Sequence, residues 1–308
     1  MNRALRIHGY GGPAAVQIDA LEIPQAGPGE VLVRVHAAGI NGLDWKLSDG
    51  LLQEAFPLNF PATLGVELAG EVAELGAGVT GFAVGNRVLG TLGGLGAYAD
   101  YVVVSAALLA PIPAQLDYAH AAAIPVTGLT AWQALFDLGG LQAGQTVLIH
   151  GAAGGVGCFA VQFARRAGAR VIVTARGMHT EYLLGLGAHQ VIDYQTQAFW
   201  ERCADVDLVL DLVGGNALAH SWQVLGQDGK IVTTAEPGIA AQVPIGKSGA
   251  WLQVRPDVAR LTQIATQVAA GELNVTLSET CELADAGAAI ERNKTGHGAG
   301  KAVVHFLA

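Results

Sequence analysis

A glycine-rich turn is the stretch of this sequence whose residue types and spacing best suit the binding of a charged ligand. Residues 146–157 read T-V-L-I-H-G-A-A-G-G-V-G, so a short apolar run enters a turn that is rich in glycine. The next segment has the apolar spacing of a helix, and a second apolar run begins at Arg170. A strand that passes through such a turn into a helix presents backbone N–H groups and the positive end of the helix to a pyrophosphate. The pattern therefore predicts a βαβ dinucleotide site.

The turn matches the dinucleotide fingerprint G-x-G-x-x-G only in part. Ala152 stands at the first position, so the sequence reads A-x-G-x-x-G. Glycine is needed in such a turn because a Cβ would block either the turn itself or the close approach of the phosphates. A glycine-rich turn that binds nothing is the alternative, and the complete strand–turn–helix–strand context favours the dinucleotide site. The candidate phosphate-binding residues are Ala153, Gly154, Gly155, Val156 and Gly157.

The end of the second predicted strand distinguishes NADP from NAD. In this fold a carboxylate about 20 positions after the glycines binds the ribose 2′-hydroxyl of NAD. Here the strand ends in Thr174, Ala175 and Arg176, and the first carboxylate after it is Glu181 in the next helix. An arginine pairs with a 2′-phosphate, which a carboxylate would repel. We therefore predict NADPH as the cofactor, beside Thr174 and Arg176, with a solvated loop arginine as the alternative. His179 either assists Arg176 or is an ordinary surface histidine.

The composition is that of a globular enzyme with a small-molecule substrate. Of the 308 residues, 51% are hydrophobic and 14% are charged, which excludes a disordered chain. A net charge of −9 without a Lys/Arg-rich run argues against a nucleic-acid surface. The three scattered cysteines predict neither a disulfide framework nor a zinc cluster. The first residues lack the apolar core of a signal peptide, and every apolar run is interrupted before it reaches membrane-spanning length. We expect a cytoplasmic protein without nucleic-acid or membrane partners.

The chain divides into a β-rich part and a part in which strands and helices alternate. Over the first 110 residues, alternating apolar and polar stretches are separated by Gly/Pro turns. From Asp117 the pattern becomes helical, and strands and helices then alternate up to Thr233, which predicts a parallel sheet with helices on both faces. A helix over about residues 257–270 follows. Residues 301–307 predict a closing strand that returns the chain to its first domain.

Short motifs along almost the whole chain carry a family resemblance. They are A-G-I-N-G-L-D-W-K (38–46), G-V-E-L-A-G-E-V (65–72), V-G-N-R-V (84–88), G-A-Y-A-D-Y (96–101), P-V-T-G-L-T-A-W-Q-A-L (125–135), H-G-A-A-G-G-V-G (150–157), L-G-A-H-Q-V-I-D-Y (186–194), D-L-V-L-D-L-V-G-G (207–215) and G-H-G-A-G-K (296–301). Jointly they resemble the zinc-independent quinone oxidoreductases of the medium-chain dehydrogenase/reductase superfamily, which include NADPH-dependent quinone and enone (alkenal) reductases. The resemblance implies an α/β fold with a GroES-like β-rich domain, a Rossmann doubly wound parallel sheet and an active cleft between them.

Domain boundaries follow from this resemblance together with the change in pattern. We expect a GroES-like substrate domain over residues 1–115, a Rossmann NADP-binding domain over residues 116–256, and a return to the substrate domain over residues 257–308. Members of this family often dimerise through the Rossmann sheet, so the resemblance also implies a homodimer.

The sequence departs from the zinc-dependent members of the superfamily at their metal ligands. By resemblance, those enzymes carry Cys at the position of Asn41, His at the position of Val66, and a four-cysteine zinc loop after the region around Gly90. Catalytic zinc takes three protein ligands, usually Cys, His or carboxylates. Asn41 is a poor zinc ligand, Val66 has no donor atom, and Glu67 alone cannot hold the ion. Residues 90–115 contain no cysteine. We therefore predict no metal site.

The predicted absence of zinc indicates which acceptors the enzyme can reduce and which residues must replace the metal. An enzyme without zinc suits acceptors that take hydride readily, such as quinones and conjugated enones, where one cationic or N–H donor stabilises the developing oxyanion. Lys46 is the leading candidate, because related enone reductases have a lysine there that contacts the substrate carbonyl; a solvated loop lysine is the alternative. Asn41 either hydrogen-bonds cofactor or substrate or forms a turn. Asp44 either orients Lys46 or caps a short helix that begins near Trp45.

Two further residues are candidates by resemblance alone. Thr127 lies in the motif that faces the nicotinamide in this family; alternatively, its hydroxyl is satisfied within its own helix. Tyr194 matches a position near the adenosine 2′-phosphate; alternatively, it is a partly buried aromatic residue that closes a strand. The G-H-G-A-G-K motif is not a P-loop, because its spacing fails and Ala302 replaces the hydroxyl residue. We expect His297 and Lys301 to be turn and strand residues, with a role near the cofactor phosphates as the alternative.

Two hypotheses of different classes follow for the function. The first is an NADPH-dependent, zinc-independent oxidoreductase that transfers hydride to a quinone or an α,β-unsaturated carbonyl compound. The alternative is an NADPH-binding sensor or regulatory protein without turnover; the retained Asn41 and Lys46 favour the reductase. Reduction of enoyl thioesters is a third interpretation, which would require a basic patch for a phosphopantetheine or coenzyme A tail, and the sequence contains no such patch.

Overall fold

Short strands dominate the N-terminal part of the chain in the computed structural model, which describes residues 1–296 and 298–306. They are β1 (Asn2–Ile7), β2 (Val16–Leu21), β3 (Glu30–Gly39), β4 (Ala62–Thr63), β5 (Glu67–Leu75), β6 (Arg87–Thr91), β7 (Tyr101–Ser105) and β8 (Leu109–Pro111). Two short helices accompany them, α1 (Gly42–Ser48) and α2 (Tyr118–Ala122). Strands β2, β1 and β4 form a small sheet, and β3, β5, β6 and β8 are successive neighbours in a larger one, where β7 also pairs with β3. The predicted β-rich first part is confirmed.

Helices and strands alternate in the following part, as the sequence pattern predicts. The elements are α3 (Pro125–Trp132), β9 (Thr146–His150), α4 (Gly155–Arg166), β10 (Arg170–Ala175), α5 (Thr180–Leu186), β11 (Gln190–Asp193), β12 (Val206–Asp211), α6 (Gly215–Ser221), β13 (Leu225–Thr233) and β14 (Ser248–Trp251). The strand order is β11-β10-β9-β12-β13-β14, and all neighbouring pairs are parallel. The chain winds outward from β9 to β11, then returns to β12 and winds outward again. Ligands of such a doubly wound sheet bind at the carboxyl ends of the strands, where the winding reverses.

The last part of the chain returns to the larger sheet of the N-terminal part. It contains α7 (Val258–Ala269), β15 (Leu277–Glu282), α8 (Ala286–Thr295) and β16 (Lys301–His305). Strand β16 is parallel to β15 and antiparallel to β3, so the full strand order is β15-β16-β3-β5-β6-β8. The predicted helix and closing strand are confirmed within the described residues. His297 and Leu307, which the sequence analysis assigned to a turn and to this strand, lie outside those residues.

Two units result from this course of the chain, and each has its own apolar core. One unit holds Met1–Val126 and the segment from Pro256 onwards; the other holds Thr127–Arg255. In the first unit, side chains from both parts of the chain pack together, such as Leu68 and Val304. In the second, the core is built on the parallel strands, whose two covered faces explain their continuous apolar runs. The domain roles predicted for residues 1–115, 116–256 and 257–308 stay predictions.

Candidate active site

The glycines of the predicted phosphate turn differ in their structural surroundings. Gly151 has a φ of +72°, which lets the chain leave β9 in a tight turn. A Cβ at Gly157 would lie 2.5 Å from the Cα atom of Ala152, so helix α4 packs on the turn only without a side chain there. A Cβ at Gly154 would meet nothing nearer than 3.5 Å, so this face of the turn is open. These are the three roles of the dinucleotide fingerprint. The tight-turn glycine stands one residue before Ala152, which explains why the strict pattern fails.

The open face of this turn coincides with the start of helix α4. Gly154 precedes the helix and has no side chain to cap the first backbone N–H groups. Ala153 is buried and Val156 is half-buried, so the turn exposes mainly backbone. It lies at the carboxyl end of β9, next to the reversal of winding between β9 and β12. Free backbone N–H groups and the helix dipole suit an anion at this point.

Arg176 and Tyr194, two predicted cofactor residues, lie together at the carboxyl ends of neighbouring strands. The Arg176 Nε donates a hydrogen bond to the Tyr194 hydroxyl at 3.2 Å. Tyr194 is 53% exposed and follows the end of β11, so it does not close that strand as a partly buried aromatic residue. His179 also lies here, with its backbone N–H bonded to the Arg176 carbonyl at 2.9 Å. His179 directly precedes α5, and its side chain is buried, not on the surface.

Asp193 is a carboxylate at this edge that the sequence analysis missed. It ends β11 and is paired in register with Ala175, directly before Arg176. A Cβ at Gly177 would lie 2.7 Å from the Asp193 Oδ2, so the carboxylate packs against the backbone that follows β10. The acid expected from the fingerprint follows β10 in the chain, whereas Asp193 ends the adjacent strand β11. The V-I-D-Y motif next to the arginine strand is the signal that would have found it.

Thr174 faces the interior of the second unit rather than the cofactor edge. Its hydroxyl lies 2.8 Å from the His150 Nδ1, and the His150 Nε2 lies 2.9 Å from the Ser221 hydroxyl. The Ser221 hydroxyl donates to the Ala217 carbonyl, so it accepts from His150, and Thr174 donates to the Nδ1. Burial lowers the pKa of His150 to about 4, against the opposing charge of Asp211. The imidazole is therefore neutral at physiological pH, and the Thr174 hydroxyl is already engaged.

Asn41 lies directly before helix α1 in the first unit, and its amide is engaged on both sides. The Nδ2 donates to the Glu67 Oε1 at 2.8 Å and to the Gly39 carbonyl at 3.2 Å. The Oδ1 accepts a hydrogen bond from the Lys301 ammonium. Because both N–H bonds of the amide are used within the unit, this arrangement leaves Asn41 no donor for a cofactor or substrate.

Glu67 and Lys301 form a buried ion pair beside this amide. Their Oε1 and Nζ atoms are 2.7 Å apart, and the side chains are 0% and 6% exposed. The other Glu67 oxygen accepts from the backbone N–H of Val126 at 2.7 Å. A Cβ at Gly39 would lie 2.7 Å from the Glu67 carboxyl carbon, so only glycine fits there. Sequence reasoning did not find the pair, because its members come from β5 and β16.

These residues do not fit a zinc ion. Val66 has no donor atom, and the amide of Asn41 is bonded to Glu67 and Lys301. A cation bound to Glu67 would also meet the Lys301 ammonium, which repels it. Over residues 1–296 and 298–306, no group of three His, Cys, Asp or Glu side chains has a geometry that could hold a metal.

Asp44 is fully buried, and its contacts are with Asn41 and Tyr98. Its Oδ2 accepts from the Asn41 backbone N–H at 2.7 Å and from the Tyr98 hydroxyl at 2.6 Å, whereas Oδ1 has no partner among the described residues. Helix α1 begins at Gly42, three residues before the predicted start, so Asp44 lies in its first turn. Burial raises the pKa of this carboxyl to about 6, and the two hydrogen bonds oppose the rise. Asp44 therefore holds the start of the helix that carries Lys46, without a direct contact to that lysine.

Lys46 and Thr127, the remaining predicted site residues, lie on helices of different units. Lys46 is half-buried on α1, with its Nζ 5.5 Å from the centre of the Trp45 ring. Thr127 is buried in the first turn of α3. Asn41, Asp44 and Lys46 thus lie together at α1. The glycine turn, Arg176 and Tyr194 lie together at the edge of the parallel sheet, and the cleft predicted between the units stays a prediction.

Comparison with known proteins agrees with this fold. Residues 27–114 match the family described as alcohol dehydrogenase GroES-like domain, and residues 186–304 match the family described as zinc-binding dehydrogenase. The structure of the quinone oxidoreductase from Coxiella burnetii is similar, with a TM-score of 0.94 and 31% identity over 99% of each chain. The chain belongs to the quinone oxidoreductases of the medium-chain dehydrogenase/reductase superfamily. The GroES-like and Rossmann parts of the predicted fold are thereby confirmed.

Two other relatives bear on the cofactor and on the location. The Escherichia coli quinone oxidoreductase, solved in complex with NADPH, has a TM-score of 0.90 and 27% identity over 99% of this chain and 100% of its own. The chloroplast envelope quinone oxidoreductase homolog of Arabidopsis thaliana is 38% identical over 202 residues, 63% of this chain. The match spans 61% of the length of that relative. Among the described residues, no helix is both long enough and apolar enough to pass through a membrane. The cytoplasmic location stays a prediction.

Proposed function

We propose that this oxidoreductase transfers hydride from NADPH to a quinone or an α,β-unsaturated carbonyl compound without a metal. The observation that carries the proposal is the set of side chains at and beside the zinc-ligand positions Asn41 and Val66. Asn41 and Glu67 are bonded to each other and to the Lys301 ammonium, and Val66 offers no ligand. An enzyme built in this way has no Lewis acid for an alkoxide. Acceptors whose own conjugation takes up the hydride suit it better.

NADPH supplies the hydride, and the second unit offers the groups to hold it. The open glycine face at Gly154 and the first N–H groups of α4 suit the pyrophosphate. The Arg176 guanidinium, held by the Tyr194 hydroxyl, suits the 2′-phosphate. The nearby Asp193 carboxylate, by contrast, would repel the 2′-phosphate. The NADPH complex of the E. coli relative supports this assignment.

Lys46 supplies the cation for the acceptor oxygen in this proposal. Hydride addition to the β-carbon of an enone places negative charge on the carbonyl oxygen, and a nearby ammonium lowers the energy of that enolate. Half-burial of Lys46 against Trp45 leaves its ammonium able to move toward a ligand. Thr127 is proposed, by resemblance to the family, to face the nicotinamide.

The proposal is tested by monitoring the oxidation of NADPH through its absorbance. The acceptors are 9,10-phenanthrenequinone, a short enone and an enoyl thioester. We expect turnover of the quinone or the enone. Lys46→Met should lower the kcat for the enone by roughly tenfold or more with little change in the Kd for NADPH, because only the enolate loses a partner. Lys294→Met is the matched control, since Lys294 also lies over Trp45, at 5.8 Å. NADPH binding without any turnover would support the sensor instead, and turnover of the thioester alone would refute the acceptor class.

The assembly that we propose is a homodimer formed through the parallel sheet. Strand β14 ends the sheet on one side, next to β13. Trp251 on this strand is 38% exposed. The unpaired backbone groups of such an edge suit pairing with a second copy.

A further inference from the structure

A buried lysine joins two parts of the first unit that are 260 residues apart in the chain. Lys301 begins β16, which runs antiparallel to β3. The pairing continues past the end of β3, where the Ile40 N–H donates to the Ala302 carbonyl at 2.8 Å. This register brings the Lys301 side chain to Asn41, where its Nζ contacts both the Asn41 Oδ1 and the Glu67 carboxylate.

The carboxylate of Glu67 connects this lysine to the starts of two helices. One oxygen accepts from the Asn41 amide, and Asn41 is the residue that precedes α1. The other oxygen accepts from the Val126 N–H in the first turn of α3. A first-turn N–H has no partner within its own helix, and a carboxylate at this end also interacts favourably with the helix dipole. One side chain thus holds the beginnings of α1 and α3.

We infer that Lys301 is a positioning residue for the reductase: through Glu67 and Asn41 it fixes the starts of the helices that carry Lys46 and Thr127. The inference rests on the proposed function, because those two residues are placed at the reaction by that proposal. Neither helix is held by Lys301 directly. The ammonium acts by pairing with the Glu67 carboxylate and by orienting the Asn41 amide.

The physical need for the ammonium follows from the burial of Glu67. Without Lys301 the carboxylate would be buried without a counter-charge, which is strongly unfavourable, so the side chain would shift toward water. This shift would weaken its hydrogen bonds to Asn41 and Val126. The Asn41 Oδ1 would also lose its hydrogen bond from Lys301, which fixes the orientation of the amide. Both helix starts would then move relative to the core of the unit.

The test compares Lys301→Met with the control Lys230→Met. Lys230 is half-buried on β13, and its Nζ donates to the Leu138 carbonyl at 2.9 Å, so the control also removes a lysine hydrogen bond. We expect Lys301→Met to lower kcat by roughly tenfold or more while the Kd for NADPH changes by less than about threefold. Lys301→Arg should recover most of the kcat, and Lys230→Met should keep it within about twofold. Equal losses in kcat and NADPH binding, or no recovery with arginine, would overturn the inference.

Amide hydrogen exchange provides a second readout that needs no acceptor. In Lys301→Met, the segments 41–48 and 125–132 should exchange roughly tenfold faster, with α7 unchanged. If this variant does not fold, Lys301→Gln carries the test, because glutamine still donates to Asn41 but leaves Glu67 without a counter-charge. Unchanged exchange in both segments would refute the positioning role even if the wild-type protein is an active reductase. If the wild type reduces none of the acceptors, the proposed function fails, and faster exchange would still support the structural connection.

Discussion

Asp44 shows most clearly how its surroundings change the chemistry of a single residue. Its carboxyl group has no exposed surface and has a pKa of about 6, because burial disfavours the charged form. In the folded state the neutral acid is therefore favoured more than in the unfolded chain. The stabilisation that this gives is complete below about pH 4, the range of an unfolded aspartate, and is lost as the pH rises through about 6.

Asp44→Asn should therefore become more stable relative to the wild type as the pH rises. Asparagine has the shape of the neutral acid and does not ionise, so the wild type alone loses stability. Between pH 5 and pH 8 the difference in free energy of unfolding should shift in favour of the variant by about 1–3 kcal/mol. Denaturant unfolding at both pH values measures it, with the exposed Asp228→Asn as the control. A difference that is the same at both values would mean that Asp44 does not change its charge on folding in this range.

Individual residues were predictable from the sequence only where their partners are near in the chain. A short helix near Trp45 was predicted, and the structure places Asp44 and Lys46 on it and Asn41 directly before it. Lys301 and Tyr98 complete the surroundings of that helix start. Lys301 begins β16 and Tyr98 lies between β6 and β7, so both are far from α1 in the chain and no local pattern predicts the contacts. For the same reason, Asn41 was predicted as a ligand-binding or turn residue, whereas the structure shows its amide engaged by Glu67 and Lys301.

Among the elements, the turn between β9 and α4 was the most predictable, because strand, turn and helix are adjacent in the chain. The neighbouring sheet edge around Arg176 was less predictable. Arg176 directly follows β10, whereas Asp193 ends β11 and Tyr194 directly follows that strand. Parallel strands bring together residues about 18 positions apart here, as with Ala175 and Asp193. In the proposed function, cofactor preference therefore depends on residues that follow two neighbouring strands.

Opposite changes at this edge should move the cofactor preference in opposite directions. Arg176→Ala should lower kcat/KM for NADPH by roughly 10–100-fold and leave NADH nearly unchanged, since a charge-assisted bond to the 2′-phosphate is lost. Asp193→Asn should raise the NADPH-to-NADH ratio several-fold, because it removes a negative charge while keeping an oxygen for the Gln195 N–H. Glu181→Gln, an exposed acid on α5, is the control. Equal losses for both cofactors in Arg176→Ala would exclude a role at the 2′-phosphate.

At the scale of the whole molecule, the architecture was predictable in class but not in register. The alternation of strands and helices predicts the parallel sheet, and the apolar run from Lys301 predicts a returning strand. The pattern does not say which strand it joins, and the pairing of β16 with β3 depends on side chains that pack only in the finished core. The distance between Lys301 and Glu67 follows from that register.

The proposed homodimer predicts a particle of twice 31.6 kDa in light scattering. Trp251→Lys places a charge on the edge strand β14 and should shift the mass toward the monomer, because charged residues oppose edge-to-edge pairing. Ile245→Lys, at a fully exposed position outside the strand, should remain dimeric. A wild-type mass of one chain would refute the assembly.

The insertion of the second unit into the chain of the first has a consequence during synthesis. A ribosome completes Thr127–Arg255 before it adds any residue of α7, α8 or β16. Throughout that interval, residues 37–39 of β3 lack their partner strand β16, and Glu67 lacks the Lys301 ammonium. The unit whose chain emerges first is therefore the last to acquire its complete sheet.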